Sequence, residues 1–173
     1  MSEQTGFGGA KKVGESVLGA WEKRFVARNL PRVPGWLETY HLTLMTIAWS
    51  VLVLIFSHLA KGNLHWMWAV SAMVAMQYFT DLFDGAVGRS RNTGLVKWGF
   101  FMDHLLDFIF LSAVVVGYYM ISPPGLELYF FGILTLTGAF MVVTFLSFGA
   151  TNEFEIYHFG MGPTEIRIVF ILI

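Results

Sequence analysis

Asp81, Asp84, Asp103 and Asp107 stand close together in a chain that is otherwise mostly hydrocarbon, at helical spacings of i, i+3 and then i, i+4. An ionised carboxylate near a bilayer core is costly unless it is paired, hydrated or metal-bound, so such a cluster is by default a functional site. Carboxylate oxygens are hard ligands. At this density they suit Mg²⁺ or Mn²⁺, as two ions sharing carboxylates, and exclude a soft-metal centre. The same stretch carries Gly85, Gly88, Arg89 and Gly99. Glycines leave room for a bulky ligand to approach the backbone, and an arginine fork matches phosphate oxygens. Metals, glycines and an arginine together point to a pyrophosphate.

The elements that must hold these residues are membrane helices. Of 173 residues, 55% are hydrophobic, 17% aromatic and only 13% charged, where a soluble domain carries about 25% charged residues. The net charge of -1 argues for no nucleic-acid partner, and the absence of cysteine removes disulfides, thiolate catalysis and Cys-ligated zinc. The polar start, up to Gly14, has no apolar core of a removable signal peptide. A span of about 30 Å of hydrocarbon needs roughly 17 to 25 apolar residues. Stretches at about Leu42–Leu59, His65–Phe83, Trp98–Ile121 and Leu126–Phe148 meet this, and Ile166–Ile173 opens a fifth that is expected to continue past Ile173. The predicted fold class is therefore an all-α integral membrane protein, a polytopic helical bundle over residues 36–173.

Helical spacing puts Asp81 with Asp84, and Gly99 with Asp103 and Asp107, on single faces. Two antiparallel helices can then present four carboxylates to one cavity. Basic residues set the orientation, because positive loops stay inside. Lys11, Lys12, Lys23, Arg24, Arg28 and Arg32 precede the first span, Arg89, Arg91 and Lys97 separate the second from the third, and Arg167 borders the fifth; only Lys61 lies opposite. The N-terminus and the aspartates are expected to be cytoplasmic, in a bacterial inner membrane. Val13, Val17, Trp21 and Phe25 recur every four residues ahead of Pro31 and Pro34, which predicts an amphipathic juxtamembrane helix within residues 11–35. Residues 1–10 are expected to be disordered.

The run from Asp81 to Asp107 resembles the D-x-x-D-G-x-x-A-R-x(8)-G-x-x-x-D-x-x-x-D motif of the CDP-alcohol phosphotransferase family, which includes the phosphatidyltransferases of phospholipid synthesis. Asp81, Asp84, Gly85, Arg89, Gly99, Asp103 and Asp107 match it. Gly88 replaces the alanine, and nine residues instead of eight separate Arg89 from Gly99. The resemblance implies six transmembrane helices, of which about five are visible, a homodimer, and a divalent-metal-dependent enzyme embedded among membrane lipids. It implies transfer of a substituted phosphate from a CDP-alcohol donor to an alcohol acceptor, with release of CMP. By the same resemblance Asp81, Asp84 and Asp103 hold a pair of ions, Asp107 is the general base and also a possible ligand, and Gly85 and Arg89 contact the CDP moiety. The short chain favours CDP-diacylglycerol as donor. The alternative is an aminoalcohol phosphotransferase using CDP-choline or CDP-ethanolamine with diacylglycerol, which the runs Asp103-His104-x-x-Asp107 and Gly162-Pro163-Thr164-Glu165 resemble.

Blander readings stand beside these. His104 is either a base or a hydrogen-bond partner of a carboxylate. Glu165 and Arg167 either line an acceptor pocket or belong to a helix start. Trp21, Trp36, Trp66, Trp68 and Trp98 read as interfacial belts, and Glu153, Glu155 and His158 as a solvated loop. Two other classes remain: a membrane prenyltransferase, which needs more helices, and a divalent-cation carrier, which should show duplicated halves that this sequence lacks.

Overall fold

In lipid every backbone polar group must be satisfied within the chain, which leaves the long apolar runs one local solution, the helix. The computed structural model describes residues 11–13, 18–93, 95–151, 153–155, 167, 168 and 171. Its elements are β1 (Lys11–Val13), α1 (Gly19–Asn29), α2 (Thr39–Ala60), α3 (Met67–Arg91), α4 (Val96–Ile121), α5 (Glu127–Thr151) and β2 (Glu153–Glu155). The protein is an all-helical membrane bundle, with β1 and β2 adding only a three-residue parallel pairing in which Lys11 lies opposite Glu153. The expectation for residues 1–10 lies outside the described residues, as does His158.

α2, α4 and α5 are each long and apolar enough to cross a membrane. α3 has 25 residues, ample for a span, but Gln77, Asp81, Asp84 and Arg89 dilute its apolar character. It also runs to Arg91, beyond the expected end at Phe83, because no proline interrupts it. Asn92 closes it in the left-handed conformation at φ 51°, its N–H bonded to the carbonyls of Arg89 and Gly88. Asp84, Gly85, Gly88 and Arg89 consequently sit on helix and not on a loop.

α2 is the centre of the bundle. Its buried residues Thr39, Thr43, Thr46, Ser50, Val53, Ser57 and Ala60 form a stripe of small side chains at spacings of three and four, which lets neighbouring helices come close. A Cβ on Gly117 of α4 would lie 2.5 Å from Ser57 Oγ. α2 packs along both α3 and α4, whereas α3 and α4 touch each other little among the described residues. The core of Val53, Val70, Val74, Phe110, Ala113 and Val114 fills the three-way junction. α5 packs on α4 and buries none of its residues, so Leu128, Phe131, Leu136, Phe140 and Leu146 present apolar surface outward.

The N-terminal helix is shorter than the sequence suggests. α1 begins at Gly19, and Val13 lies in β1 instead of on the helix. It ends at Asn29, before Pro31. Trp21 stacks on Phe25 at 5.2 Å, and Phe25 packs against Phe79 and Phe83 of α3 at 5.9 and 6.0 Å. Tyr78 donates to Glu22 at 2.9 Å. Arg91 then ties the linker to the end of α3, donating to the carbonyls of Leu37 at 2.6 Å, Pro34 at 2.8 Å and Gly35 at 3.1 Å. Of the five tryptophans expected in interfacial belts, Trp21, Trp36, Trp66 and Trp68 are exposed, while Trp98 is half-buried.

Candidate active site

The C-terminal half of α3 and the first half of α4 lie at the same end of the bundle, joined by a connection of four residues between Arg91 and Val96. Because α2 wedges these two helices apart, their side chains reach toward each other across a gap. Asp81 from α3 and Asp103 and Asp107 from α4 meet there, with one carboxylate oxygen from each lying within 4.8 Å of the others. Among the described residues these three make the one group of acidic or histidine side chains close enough to hold a metal ion. Each is partly exposed, so an ion can reach it.

Arg167 enters from far along the sequence. Its Nη1 donates to Asp81 Oδ2 at 2.8 Å and its Nη2 to Asp107 Oδ1 at 2.7 Å, so one guanidinium joins α3 to α4. It is 9% exposed. A planar fork bonded to two carboxylates is a strong arrangement, and one that a buried arginine needs. Gln77, fully buried one turn before Asp81, donates to the same Asp107 Oδ1 at 3.2 Å. Both donors use Oδ1, and neither uses Oδ2.

Asp84 belongs elsewhere. It is on α3 one turn after Asp81, but its carboxylate is held by α2. Thr39 donates to Oδ1 in a short contact, and Thr43 donates to Oδ2 at 2.5 Å. The structure thus brings three of the four aspartates together and keeps the fourth beside them under a pair of hydroxyls.

The glycines divide likewise. At Gly88 a Cβ would meet Thr39 Oγ1 at 3.2 Å, so this glycine admits α2 and not a ligand. At Gly85 a Cβ would lie 3.1 Å from Arg89 Nη1, the guanidinium folding back over its own helix. Gly99 faces open space. His104 points away from the carboxylate group: its Nδ1 is 2.6 Å from the Phe100 carbonyl, and its ring packs on Phe100 at 4.5 Å and edge-on to Phe145 of α5 at 5.3 Å. Glu165 lies outside the described residues. Gln77, Thr39 and Thr43 carry no motif spacing, and the sequence reading missed them. A glutamine one turn from an aspartate inside an apolar span was the available signal.

The residues fit a divalent ion. All donors are hard oxygens, they come from two helices toward one point, and the polar interior already takes a cation, Arg167, between two of them. A helical bundle with such an acidic centre at the end of two membrane helices defines a membrane enzyme that handles phosphate esters or a cation site. The choice is made by comparison with known families: residues 38–173 match the CDP-alcohol phosphatidyltransferase family, and the chain belongs to it. That family is one of membrane transferases that take their transferred group from a CDP-alcohol. Comparison with curated proteins and with solved structures gave no match.

Proposed function

We propose that the protein transfers a phosphatidyl group from CDP-diacylglycerol to an alcohol acceptor and releases CMP, using Mg²⁺ or Mn²⁺ at a site that opens to the cytoplasm. The observation that carries this is the convergence of Asp81, Asp103 and Asp107 within 4.8 Å inside the family-matched segment. Those three would hold the ion, and Asp84 would complete a second site through lone pairs that its two threonine bonds leave available. When bound, the ions neutralise charge on the pyrophosphate and the departing CMP.

The chain's own groups do the rest. Asp107 accepts the proton of the acceptor hydroxyl on Oδ2, the oxygen that Gln77 and Arg167 leave open. The hydroxyl oxygen forms a new bond to the lipid-bearing phosphorus, and the bond from that phosphorus to the CMP oxygen breaks. Gln77 holds the carboxylate so that Oδ2 keeps its aim. Arg89 and Gly85, adjoining on the outer turn of α3, take the cytidine diphosphate. His104, packed on α5, supports α4 and does not act as the base, which disfavours the aminoalcohol reading built on that histidine.

CMP release by the purified protein decides the matter. With Mg²⁺ or Mn²⁺ and a panel of alcohol acceptors, CDP-diacylglycerol should give CMP while CDP-choline and CDP-ethanolamine do not. CMP from an aminoalcohol donor would reverse the choice of substrate, and none from any donor would refute the enzymatic reading.

A further inference from the structure

We infer that Arg167 is the resident counter-cation of the aspartate cluster, and that a divalent ion takes the site by displacing it. This rests on reading Asp81, Asp103 and Asp107 as the metal site.

Three carboxylates with oxygens within 4.8 Å of one another repel strongly, the more so in a partly desolvated gap. The bundle answers with one buried guanidinium, bonded at 2.8 Å to Asp81 and 2.7 Å to Asp107. Those two residues stand on different helices, and α3 and α4 have little direct packing of their own. The arginine therefore holds together a gap that would otherwise be forced apart by like charge.

A small divalent ion binds carboxylate oxygens at about 2.0–2.1 Å. An ion among these three residues would lie within a few ångströms of the guanidinium, and two cations would share the same anions. Their repulsion makes the two occupants compete. Gln77 remains as the neutral donor to Asp107 in either state, since an amide has no charge to be expelled.

Competition has a sign that a merely structural arginine would not produce. The full-length protein in lipid nanodiscs is titrated with Mn²⁺, with free Mn²⁺ read by its paramagnetic resonance signal and thermal unfolding recorded in parallel. Arg167→Gln should bind Mn²⁺ roughly tenfold more tightly than the natural protein, the scale of one charge-assisted bond. In chelator it should unfold at a lower temperature, and Mn²⁺ should raise that temperature by more than in the natural protein. Arg167→Lys keeps a charge but loses the fork, so it should fall between the two, and it serves if the glutamine variant does not fold. Asp103→Asn is the control for the site. Equal or weaker Mn²⁺ binding in both Arg167 variants, with binding still abolished by Asp103→Asn, overturns the exchange and leaves the metal site standing. Mn²⁺ binding that survives Asp103→Asn overturns both.

Discussion

Asp81 and Asp84 lie one turn apart on α3, yet they live under opposite regimes. Asp81 faces α4, crowded by Asp103 and Asp107, and its charge is met by the cation Arg167. Asp84 faces α2, 7% exposed, and its charge is met by the neutral hydroxyls of Thr39 and Thr43. The first arrangement is charge-compensated, and on the proposed reading exchangeable. The second is fixed, because both hydroxyls belong to one turn of a helix packed along α3. On the proposed reading, a site that takes up and releases a divalent ion gains from both, with one carboxylate held in a set rotamer and three that close around the ion once Arg167 gives way.

The largest effect should come from Asp107, the proton acceptor of the proposed reaction. Asp107→Asn keeps the shape of the side chain and removes its basicity, so CMP release should fall by about 10²- to 10⁴-fold. Binding of the CDP-alcohol should change little. If binding vanished together with turnover, the part Asp107 takes in holding the ion would account for the whole loss, and its role as base would have to be given up.

Metal-free stability separates the two regimes directly. Asp103→Asn removes the one of the three crowded acidic groups that Arg167 does not bond, so in chelator the protein should become more stable, by about 1 kcal/mol. Its stabilisation by Mn²⁺ should disappear. Asp84→Ala should do the reverse, costing about 1 kcal/mol, because two buried hydroxyls lose their carboxylate acceptor and keep only the backbone carbonyls of residue 84 and Thr39. Thermal unfolding of both variants with and without Mn²⁺ is the measurement. If both shifted the same way in chelator, the contrast between crowding and anchoring would be wrong.

How much of this could be read from the sequence follows from what kind of signal each part leaves. The helices were legible because length and hydropathy suffice in a bilayer, and Leu42–Leu59 and Trp98–Ile121 fall within α2 and α4. The end of α3 was not, since the apolar run stops at Phe83 while the hydrogen-bond ladder continues to Arg91. The start of α1 was not legible either, because a four-residue recurrence that takes in Val13 matches a helix, while Val13 lies in β1. Within the site, the spacing of Asp81, Asp103 and Asp107 leads to one face of each helix. The partners do not follow from spacing at all. Thr39 and Thr43 stand far from Asp84 in the sequence, and Arg167 stands farther still from Asp81 and Asp107. The sequence alone assigns Gly88 to room for a ligand, and only the position of Thr39 shows that the room belongs to α2.

The smallest effect, and the finest test of the contrast, is at Thr43. Thr43→Val conserves shape and deletes the hydroxyl that donates to Asp84 at 2.5 Å. Thr39 still donates to the other oxygen, so the carboxylate is never left bare, and the loss of stability should be about 1 kcal/mol. The orientation of the carboxylate should suffer more than the fold. Residues that orient a metal-binding carboxylate typically change metal affinity by about 10- to 100-fold, so Mn²⁺ binding should weaken within that range while CDP-alcohol binding at fixed, saturating Mn²⁺ is kept. Arg167→Gln should move Mn²⁺ affinity the other way. Opposite signs from two residues that both donate hydrogen bonds to aspartates of one site would separate an orienting hydroxyl from a competing cation. If Thr43→Val left Mn²⁺ affinity untouched, the hydroxyl would serve only to pack α2 on α3, and Asp84 would owe its geometry to Thr39 alone.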